Sequence, residues 1–186
     1  MKKFTNLKPE EKLEDPKKTL FKDSHLTVIK YENQSIVTDR DVVVVIPYLI
    51  ELNQIIIRQE YIPAYKFADG QELHVCLVGG GIEQGETPEA ALLRELQEEA
   101  GIVVRPNFKI EIEKPLFMFK GSSNKYYMSI LTLTELDYQE IAVDKTKEHK
   151  LDKAVKIDVK YVNSLNVSDV VTELMLDKFK KYANLS

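Results

Sequence analysis

Residues 80–102 read GGIEQGETPEAALLRELQEEAGI, and both ends of a helix can be recognised in this stretch. Thr87 is a good N-cap, because its hydroxyl accepts a hydrogen bond from an otherwise unpaired N–H group of the first turn. Pro88 suits the first helical position, where no N–H group is needed. Gly101 stands where a left-handed residue commonly ends a helix. The pattern therefore predicts a helix that begins after Thr87 and ends before Gly101.

The predicted helix has an acidic face. Glu95, Glu98 and Glu99 stand at i, i+3 and i+4, so they fall in one arc of the helix. Apolar residues fill the neighbouring arc: Leu92, Leu93, Leu96 and Ala100. Crowded carboxylates repel one another, and a hard divalent cation such as Mg²⁺ or Mn²⁺ turns that repulsion into binding. A solvated acidic surface is the alternative interpretation of the same three glutamates.

The spacing of these residues resembles the complete Nudix box. Gly80 is followed after five residues by Glu86, and after seven more by the run RELQEEAGI at 94–102. This resemblance implies an enzyme that hydrolyses a nucleoside diphosphate linked to another moiety. It also implies that water attacks phosphorus with the assistance of Mg²⁺.

The resemblance assigns roles to individual residues. Glu95 and Glu99 are expected to be the principal metal ligands, joined by Glu98 and by the carbonyl group of Gly79. Arg94 is expected to orient the glutamates, since it lies one i,i+4 step from Glu98. Glu86 is expected to tie the glycine loop to the helix. The structural residues of the motif are then Gly80, Glu86, Arg94 and Gly101.

Composition is typical of a globular protein of ordinary domain size. The chain has 186 residues, 44% of them hydrophobic and 30% charged, with a net charge of −4. This charge argues against a nucleic-acid binder, which needs a basic surface. The single cysteine, Cys76, allows no internal disulfide bond and lies in an apolar run that favours a core position. The N-terminus lacks an apolar h-region and no run reaches transmembrane length, so we expect a cytoplasmic protein with no membrane partner.

The hydrophobic pattern predicts an α+β fold with a mixed sheet between two helices. Strands are predicted at 25–31, 34–37, 42–50, 54–58, 73–78, 108–119, 126–136 and 154–162, with a final helix from Ser168-Asp169 to about Tyr182. Residues 59–72 and 137–153 are predicted to be long loops. This order is typical of an α/β/α sandwich, the architecture that the Nudix resemblance also implies. We assign residues 1–45 to an N-terminal β-arm and hairpin, and residues 46–186 to the Nudix hydrolase domain.

Segments outside the box resemble the branch of the family that contains ADP-ribose pyrophosphatases and nucleotide-sugar hydrolases. Residues 58–65, RQEYIPAY, match a segment of that branch at the expected distance before the box. Three positions depart from its pattern. Tyr61 stands for a substrate-binding arginine, Cys76 for a glutamate and Lys120 for a proline. These departures weigh against ADP-ribose itself more than against the chemistry.

The general base is expected on the 137–153 loop, as the resemblance to this branch implies. The loop offers four acids: Glu140, Asp144, Glu148 and Asp152. We favour Glu148, then Asp152. Glu95 or Glu98 takes the proton if the loop supplies no base.

Arg40, Arg58 and Lys120 are the candidates for contacts with substrate phosphates, since only four arginines occur in the chain. Arg58 has a second interpretation, as a strand-end residue paired with a carboxylate. Tyr61 is also assigned to the substrate site. The candidates for stacking on a nucleobase are Tyr31, Tyr48, Tyr61 and Tyr65.

The leading hypothesis is Mg²⁺-dependent hydrolysis of an ADP-ribose-like nucleoside diphosphate sugar, giving a nucleoside monophosphate and a sugar phosphate. One alternative is a hydrolase of nucleoside triphosphates or dinucleotides on the same box. Another is a nucleotide-binding regulator without catalysis, although a regulator has no need of every box glutamate. We also expect a homodimer, because an isolated hairpin is marginal without a surface to pack on and the resemblance implies arms that cross to a partner.

Overall fold

The computed structural model describes residues 18–23, 26–32, 34–143 and 150–185. The strands in chain order are β1 (Lys18–Lys22), β2 (Thr27–Tyr31), β3 (Gln34–Thr38), β4 (Val42–Leu49), β5 (Gln54–Glu60), β6 (His74–Cys76), β7 (Val78–Gly81), β8 (Ile102–Val104), β9 (Leu116–Phe117), β10 (Lys125–Leu133), β11 (Tyr138–Glu140) and β12 (Lys153–Asp158). The helices are α1 (Pro63–Asp69), α2 (Pro88–Ala100) and α3 (Val170–Tyr182), with a 3₁₀ helix at Val159–Ser164. No helix among these described residues is long and apolar enough to cross a membrane.

The chain divides into two compact units. The first contains the described residues up to Asp39 together with Phe119–Ser123, and the second contains Arg40–Met118 and the residues from Asn124 onward. In the first unit, β1, β2 and β3 form an antiparallel sheet in that order. The Val37 N–H group donates to the Gly121 carbonyl over 2.8 Å, which attaches the 119–123 segment to β3. The hairpin predicted at 25–31 and 34–37 is present as β2 and β3, whereas β1 was not predicted.

The second unit contains a mixed sheet with the order β12-β5-β4-β10-β9, in which β6 also pairs with β5 and β7 with β4. Strand β10 runs parallel to β4, and the other pairs are antiparallel. Successive β4 side chains enter opposite cores, because residues alternate between the two faces of a strand. Val43 and Val45 pack with Leu92 and Leu96 of α2, whereas other β4 residues pack against α3. The predicted α/β/α sandwich is confirmed.

The segment 74–81 passes from one strand of this sheet to another. Strands β4 and β5 pair with each other only at Tyr48↔Ile55 and Leu49↔Gln54. Where they separate, β6 pairs with β5 and β7 with β4. The glycines of β7 are therefore held in the sheet beside β4, and the chain goes on from there into the loop before α2.

Four predictions of local structure were wrong. The strand predicted at 154–162 ends at Asp158, and the chain continues as the 3₁₀ helix Val159–Ser164. The 59–72 loop contains α1 (Pro63–Asp69), which is followed by a left-handed Gly70 with a φ of 80°. The 108–119 segment is irregular apart from β9. It makes single hydrogen bonds to β10, from the Glu113 N–H group to the Met128 carbonyl and from the Ser129 hydroxyl to the Glu111 carbonyl, in place of a continuous ladder. The 137–153 loop contains β11, which pairs with β8.

Candidate active site

Helix α2 has the ends that the sequence predicts. The Thr87 hydroxyl accepts a hydrogen bond from the Ala90 N–H group over 3.2 Å, and Pro88 is the first helical residue. Gly101 ends the helix with a φ of 65°. A side chain at Gly101 would meet the Ile141 carbonyl oxygen, so this position favours glycine for its backbone angles and for its size. Leu92 and Leu96 of the predicted apolar arc lie in the core, Ala100 is half-buried and Leu93 is exposed.

The glycine strand β7 lies directly against the acidic face of α2. The Gly79 N–H group donates to Glu99 Oε2 over 2.8 Å. A Cβ atom at position 80 would fall on the Glu95 carboxylate, 2.6 Å from its Cδ atom. Glu95 is only 7% exposed. A side chain at position 80 would therefore force the Glu95 carboxylate to move from its place against the β7 backbone.

Arg94 joins the box helix to the glycine strand and to the loop between them. Its Nε and Nη2 atoms donate to the two oxygens of Glu86 over 3.0 and 3.1 Å. Its Nη1 atom donates to Glu95 Oε1 over 2.6 Å and to Glu98 Oε2 over 3.2 Å. Nη2 also donates to the Gly81 carbonyl over 3.0 Å. Glu86 in turn accepts the Glu83 N–H group over 3.0 Å, so this arrangement agrees with the expected tie between the loop and the helix.

Arg58 is buried against carboxylates. It is 1% exposed, and its Nε atom donates to Glu60 Oε1 over 3.2 Å. Its Nη1 atom donates to the Glu99 carbonyl over 3.2 Å, and its Nη2 atom lies 3.7 Å from Glu99 Oε1. With so little exposed surface, Arg58 cannot reach a substrate phosphate in this arrangement. The assignment of Arg58 to phosphate binding is therefore corrected to the second interpretation, a strand residue paired with carboxylates.

Burial disfavours the ionised forms of Glu95 and Glu99 on the acidic face. It raises the pKa of Glu99 to about 8, although the Arg58 charge opposes the shift, and the charge of Glu60 adds to it. Burial also raises the pKa of Glu95 above its ordinary value, opposed by Arg94. Glu86 differs, because hydrogen bonds from Arg94 hold its pKa below the ordinary range. A bound cation near Glu95 and Glu99 would remove the cost of ionising them.

The donor atoms suit a hard divalent metal ion, but the side chains do not converge on one point. Three carboxylates on one helical arc and the carbonyl oxygens of β7 are the oxygen ligands that Mg²⁺ and Mn²⁺ prefer. Within the part of the chain that the structure describes, no three His, Cys, Asp or Glu side chains are close enough together to hold a metal. Arg94 binds Glu95 and Glu98 in this structure, and Gly79 and Arg58 bind Glu99.

Two of the four candidate bases have structural partners. Glu140 forms an exposed ion pair with Lys156 over 2.6 Å. Asp152 accepts the Tyr61 N–H group over 2.8 Å, which ties the end of β5 to the segment before β12. Asp144 and the favoured residue, Glu148, lie outside the described residues.

The remaining substrate candidates are distributed over both units. Arg40 lies over the glycine strand, since a Cβ atom at Gly81 would be 3.1 Å from its Nε atom. Tyr61 follows β5, and the Lys66 Nζ atom lies 5.4 Å from the centre of its ring. Lys120 is exposed in the first unit. Tyr48 packs edge-on against Phe179 and donates to Asn53, which is a structural role.

A cleft of about 170 Å³ lies beside Gly79. Its walls include Glu60, Tyr65, Tyr126 and Asp169. The sequence offered no signal for Tyr126 or Asp169 as site residues. The sequence places Asp169 at the start of the final helix, and the structure shows it as the N-cap of α3, where its two oxygens accept the Val171 and Thr172 N–H groups over 3.0 and 2.9 Å.

Comparison with known proteins gives one family. The family model of the NUDIX domain matches residues 39–162, which is more than half of the chain. A solved structure described as an ADP compounds hydrolase is similar with a TM-score of 0.66 and 17% sequence identity, over 90% of this chain and 91% of that chain. At this identity the likeness shows the fold. A search of curated proteins found no match.

Proposed function

This chain belongs to the Nudix family and is a hydrolase that acts on phosphorus anhydrides, and we propose that its substrate is a nucleoside diphosphate joined to a sugar. The products would be a nucleoside monophosphate and a sugar phosphate. The observation that carries the proposal is the contact between the glycine strand and the acidic face of α2, where Gly79 donates to Glu99. This contact and the one between Gly80 and Glu95 bring two box carboxylates against the backbone of β7, and Glu98 is bound to Arg94 on the same helix.

We infer that Mg²⁺ binds at Glu95, Glu98, Glu99 and the Gly79 carbonyl, and that Mn²⁺ can replace it. When bound, the ion neutralises the diphosphate and lowers the pKa of a coordinated water molecule. The chain must then release some of its present contacts. We expect Glu98 to exchange Arg94 for the metal, while Arg94 keeps its two bonds to Glu86 and so keeps the loop fixed on the helix.

The other residues have supporting roles in this proposal. Arg40, beside Gly81, is the described cation that we assign to the substrate phosphates, and Lys120 and Tyr61 remain assigned to the substrate. Glu148 remains the proposed general base, with Glu95 or Glu98 as the alternative. We further propose a cytoplasmic homodimer in which residues 1–45 contribute to the interface and 46–186 form the catalytic domain.

The function is tested by comparing kcat/KM for nucleoside diphosphate sugars, dinucleotides and nucleoside triphosphates with Mg²⁺ and with Mn²⁺, since this ratio measures discrimination between substrates. We expect a diphosphate-linked sugar to give the highest value. A nucleoside triphosphate that exceeds every diphosphate sugar tenfold would overturn the substrate assignment and leave the family chemistry intact.

The metal site is tested by Glu99→Gln, with Glu89→Gln on the exposed side of the same helix as the control. The amide keeps the size of Glu99 and an acceptor for the Gly79 N–H group, but it removes the charge. We expect turnover to fall about a hundredfold or more, as when a metal site loses an important partner. Mg²⁺ should raise the Tm of the wild type and of Glu89→Gln, because a ligand that binds the native state stabilises it. An equal rise in Glu99→Gln would remove Glu99 from the metal site.

A further inference from the structure

The cleft beside Gly79 has an unusual lining for a phosphate-binding enzyme. Two carboxylates, Glu60 and Asp169, and two phenols, Tyr65 and Tyr126, stand among apolar side chains. None of the described residues that line it is a lysine, an arginine or a histidine. A phosphate in this cleft would face acidic groups without a neighbouring lining cation, so the cleft does not suit the charged part of the substrate.

Two connections place the cleft next to the box carboxylates. Gly79 lines the cleft, and its N–H group donates to Glu99 Oε2 over 2.8 Å. Glu60 lines the cleft, and Arg58 bridges it to Glu99, with Nε 3.2 Å from Glu60 and Nη2 3.7 Å from Glu99. A substrate whose diphosphate lies at the box therefore has one end in reach of this cleft.

The volume limits what the cleft holds. The cleft has a volume of about 170 Å³. Pockets for whole drug-sized ligands begin at about 300 Å³. The cleft is thus large enough for a single ring and too small for a complete nucleoside diphosphate sugar.

The polar groups that line the cleft favour a ligand that donates hydrogen bonds. An ionised carboxylate only accepts, and its two oxygens offer about four lone pairs, so Asp169 retains acceptor capacity after capping α3. Burial and the nearby Asp169 charge raise the pKa of Tyr65, so its phenol stays protonated. The Tyr65 ring is fixed by an edge-on contact with His74 at 5.1 Å between ring centroids.

We propose that this cleft binds one uncharged ring of the substrate through hydrogen bonds donated to Glu60 and Asp169, and that these two carboxylates select against an anionic group at the same place. The inference rests on the proposed function, and it adds a chemical class for the group next to the diphosphate. Both a sugar and a nucleobase are neutral rings that carry hydrogen-bond donors, so either could occupy the cleft.

The test uses two matched series of compounds on the full chain. In the sugar series, a nucleoside diphosphate hexose is compared with its uronic acid, which replaces one hydroxymethyl group by a carboxylate. In the base series, the sugar is constant and an adenine is compared with an unsubstituted purine, which lacks the exocyclic amine donor. We expect the wild type to prefer the neutral or donating member of at least one series by about tenfold or more in kcat/KM.

Glu60→Gln and Asp169→Asn should reduce that preference severalfold toward unity. Asparagine ranks with aspartate as an N-cap, but it has one acceptor oxygen and keeps only one of the two cap hydrogen bonds. Circular dichroism and the Tm of Asp169→Asn therefore check that α3 is intact, which gives a second variant if Glu60→Gln disturbs Arg58. Asp177→Asn is the matched control, because Asp177 lies on α3, pairs with Lys180 and is absent from the cleft. Its preference should equal that of the wild type. A change in the sugar series identifies the ring as the sugar, and a change in the base series identifies it as the nucleobase.

The Kd values of the same pairs, measured by calorimetry in Glu99→Gln with and without Glu60→Gln or Asp169→Asn, separate this inference from the proposed function. If no compound is hydrolysed but these carboxylates still determine the Kd ratio, the proposed function fails and the cleft assignment stands. Preferences that are identical in the wild type and both cleft variants would overturn the inference. Absence of binding by every compound would also overturn it.

Discussion

At the scale of single residues, the reactivity of Cys76 depends on its surroundings. The thiol lines the cleft but is only 8% exposed. Burial, assisted by the charge of Glu60, raises its pKa from 9.0 to about 12. Since the thiolate is the nucleophile, we expect the native protein at pH 8 to react with a disulfide reagent about a thousandfold more slowly than the unfolded chain.

The same shift has a consequence for stability. The folded pKa lies above the unfolded one, so the thiol stabilises the folded state fully below about pH 9 and loses this contribution as the pH rises toward 12. The measurement is the rate at which Cys76 reacts with the disulfide reagent between pH 7 and 10. Denatured protein is the control. Native reactivity equal to that of the denatured chain at pH 8 would contradict a buried, protonated Cys76.

At the scale of elements, α2 is attached to the preceding strand and loop by Arg94. Lysine cannot reproduce its five contacts with Glu86, Glu95, Glu98 and Gly81, because an ammonium group lacks the planar fork of a guanidinium. Hydrogen bonds to charged groups contribute about 1.5–3 kcal/mol each. We expect Arg94→Lys to lower the free energy of unfolding by about 2–4 kcal/mol and to reduce activity.

The control for this prediction is Arg105→Lys, the same chemical change at an exposed position. Surface substitutions of this kind usually change stability by less than about 0.5 kcal/mol. Urea unfolding of both variants gives the comparison. If Arg94→Lys and Arg105→Lys have the same midpoint, Arg94 does not hold the loop and helix together.

At the scale of the whole molecule, the first unit presents apolar side chains that suit an interface. Every residue of β1 is exposed, and Leu20 and Phe21 are 50% and 53% exposed. An exposed edge strand with large apolar residues favours pairing with another chain. We therefore expect the intact chain to sediment as a dimer at micromolar concentration, and removal of residues 1–40 to give a monomer.

A single substitution tests the same interface without depending on the folding of the truncated chain. Phe21→Lys should weaken the dimer by at least tenfold in Kd, whereas Phe67→Ser, at a residue of α1 that is 93% exposed, should leave the dimer unchanged. A monomeric wild type would contradict the proposal. So would a dimer that survives both the truncation and Phe21→Lys.

What can be predicted from the sequence is what depends on neighbours within a few residues. The ends of α2 follow from Thr87, Pro88 and Gly101, because a cap is a hydrogen bond or backbone angle within one turn. The acidic arc follows from helical spacing alone. The strands β4 and β5 follow from the apolar runs at 42–50 and 54–58. The family and the box chemistry were read from these same local features.

What the tertiary structure decided depends on contacts between distant segments. Arg58 lies in an apolar run in the sequence, and only the packing of α2 on the sheet, 41 residues further along the chain, brings the Glu99 carbonyl to its guanidinium. The 108–119 segment has the residues of a strand, but a strand needs a partner ladder, and β10 gives it only isolated hydrogen bonds before β9. The cleft gathers Glu60, Tyr126 and Asp169 from three elements. The hydrophobic periodicity of the sequence cannot predict this cleft, because its side chains come together only when remote strands and helices pair and pack.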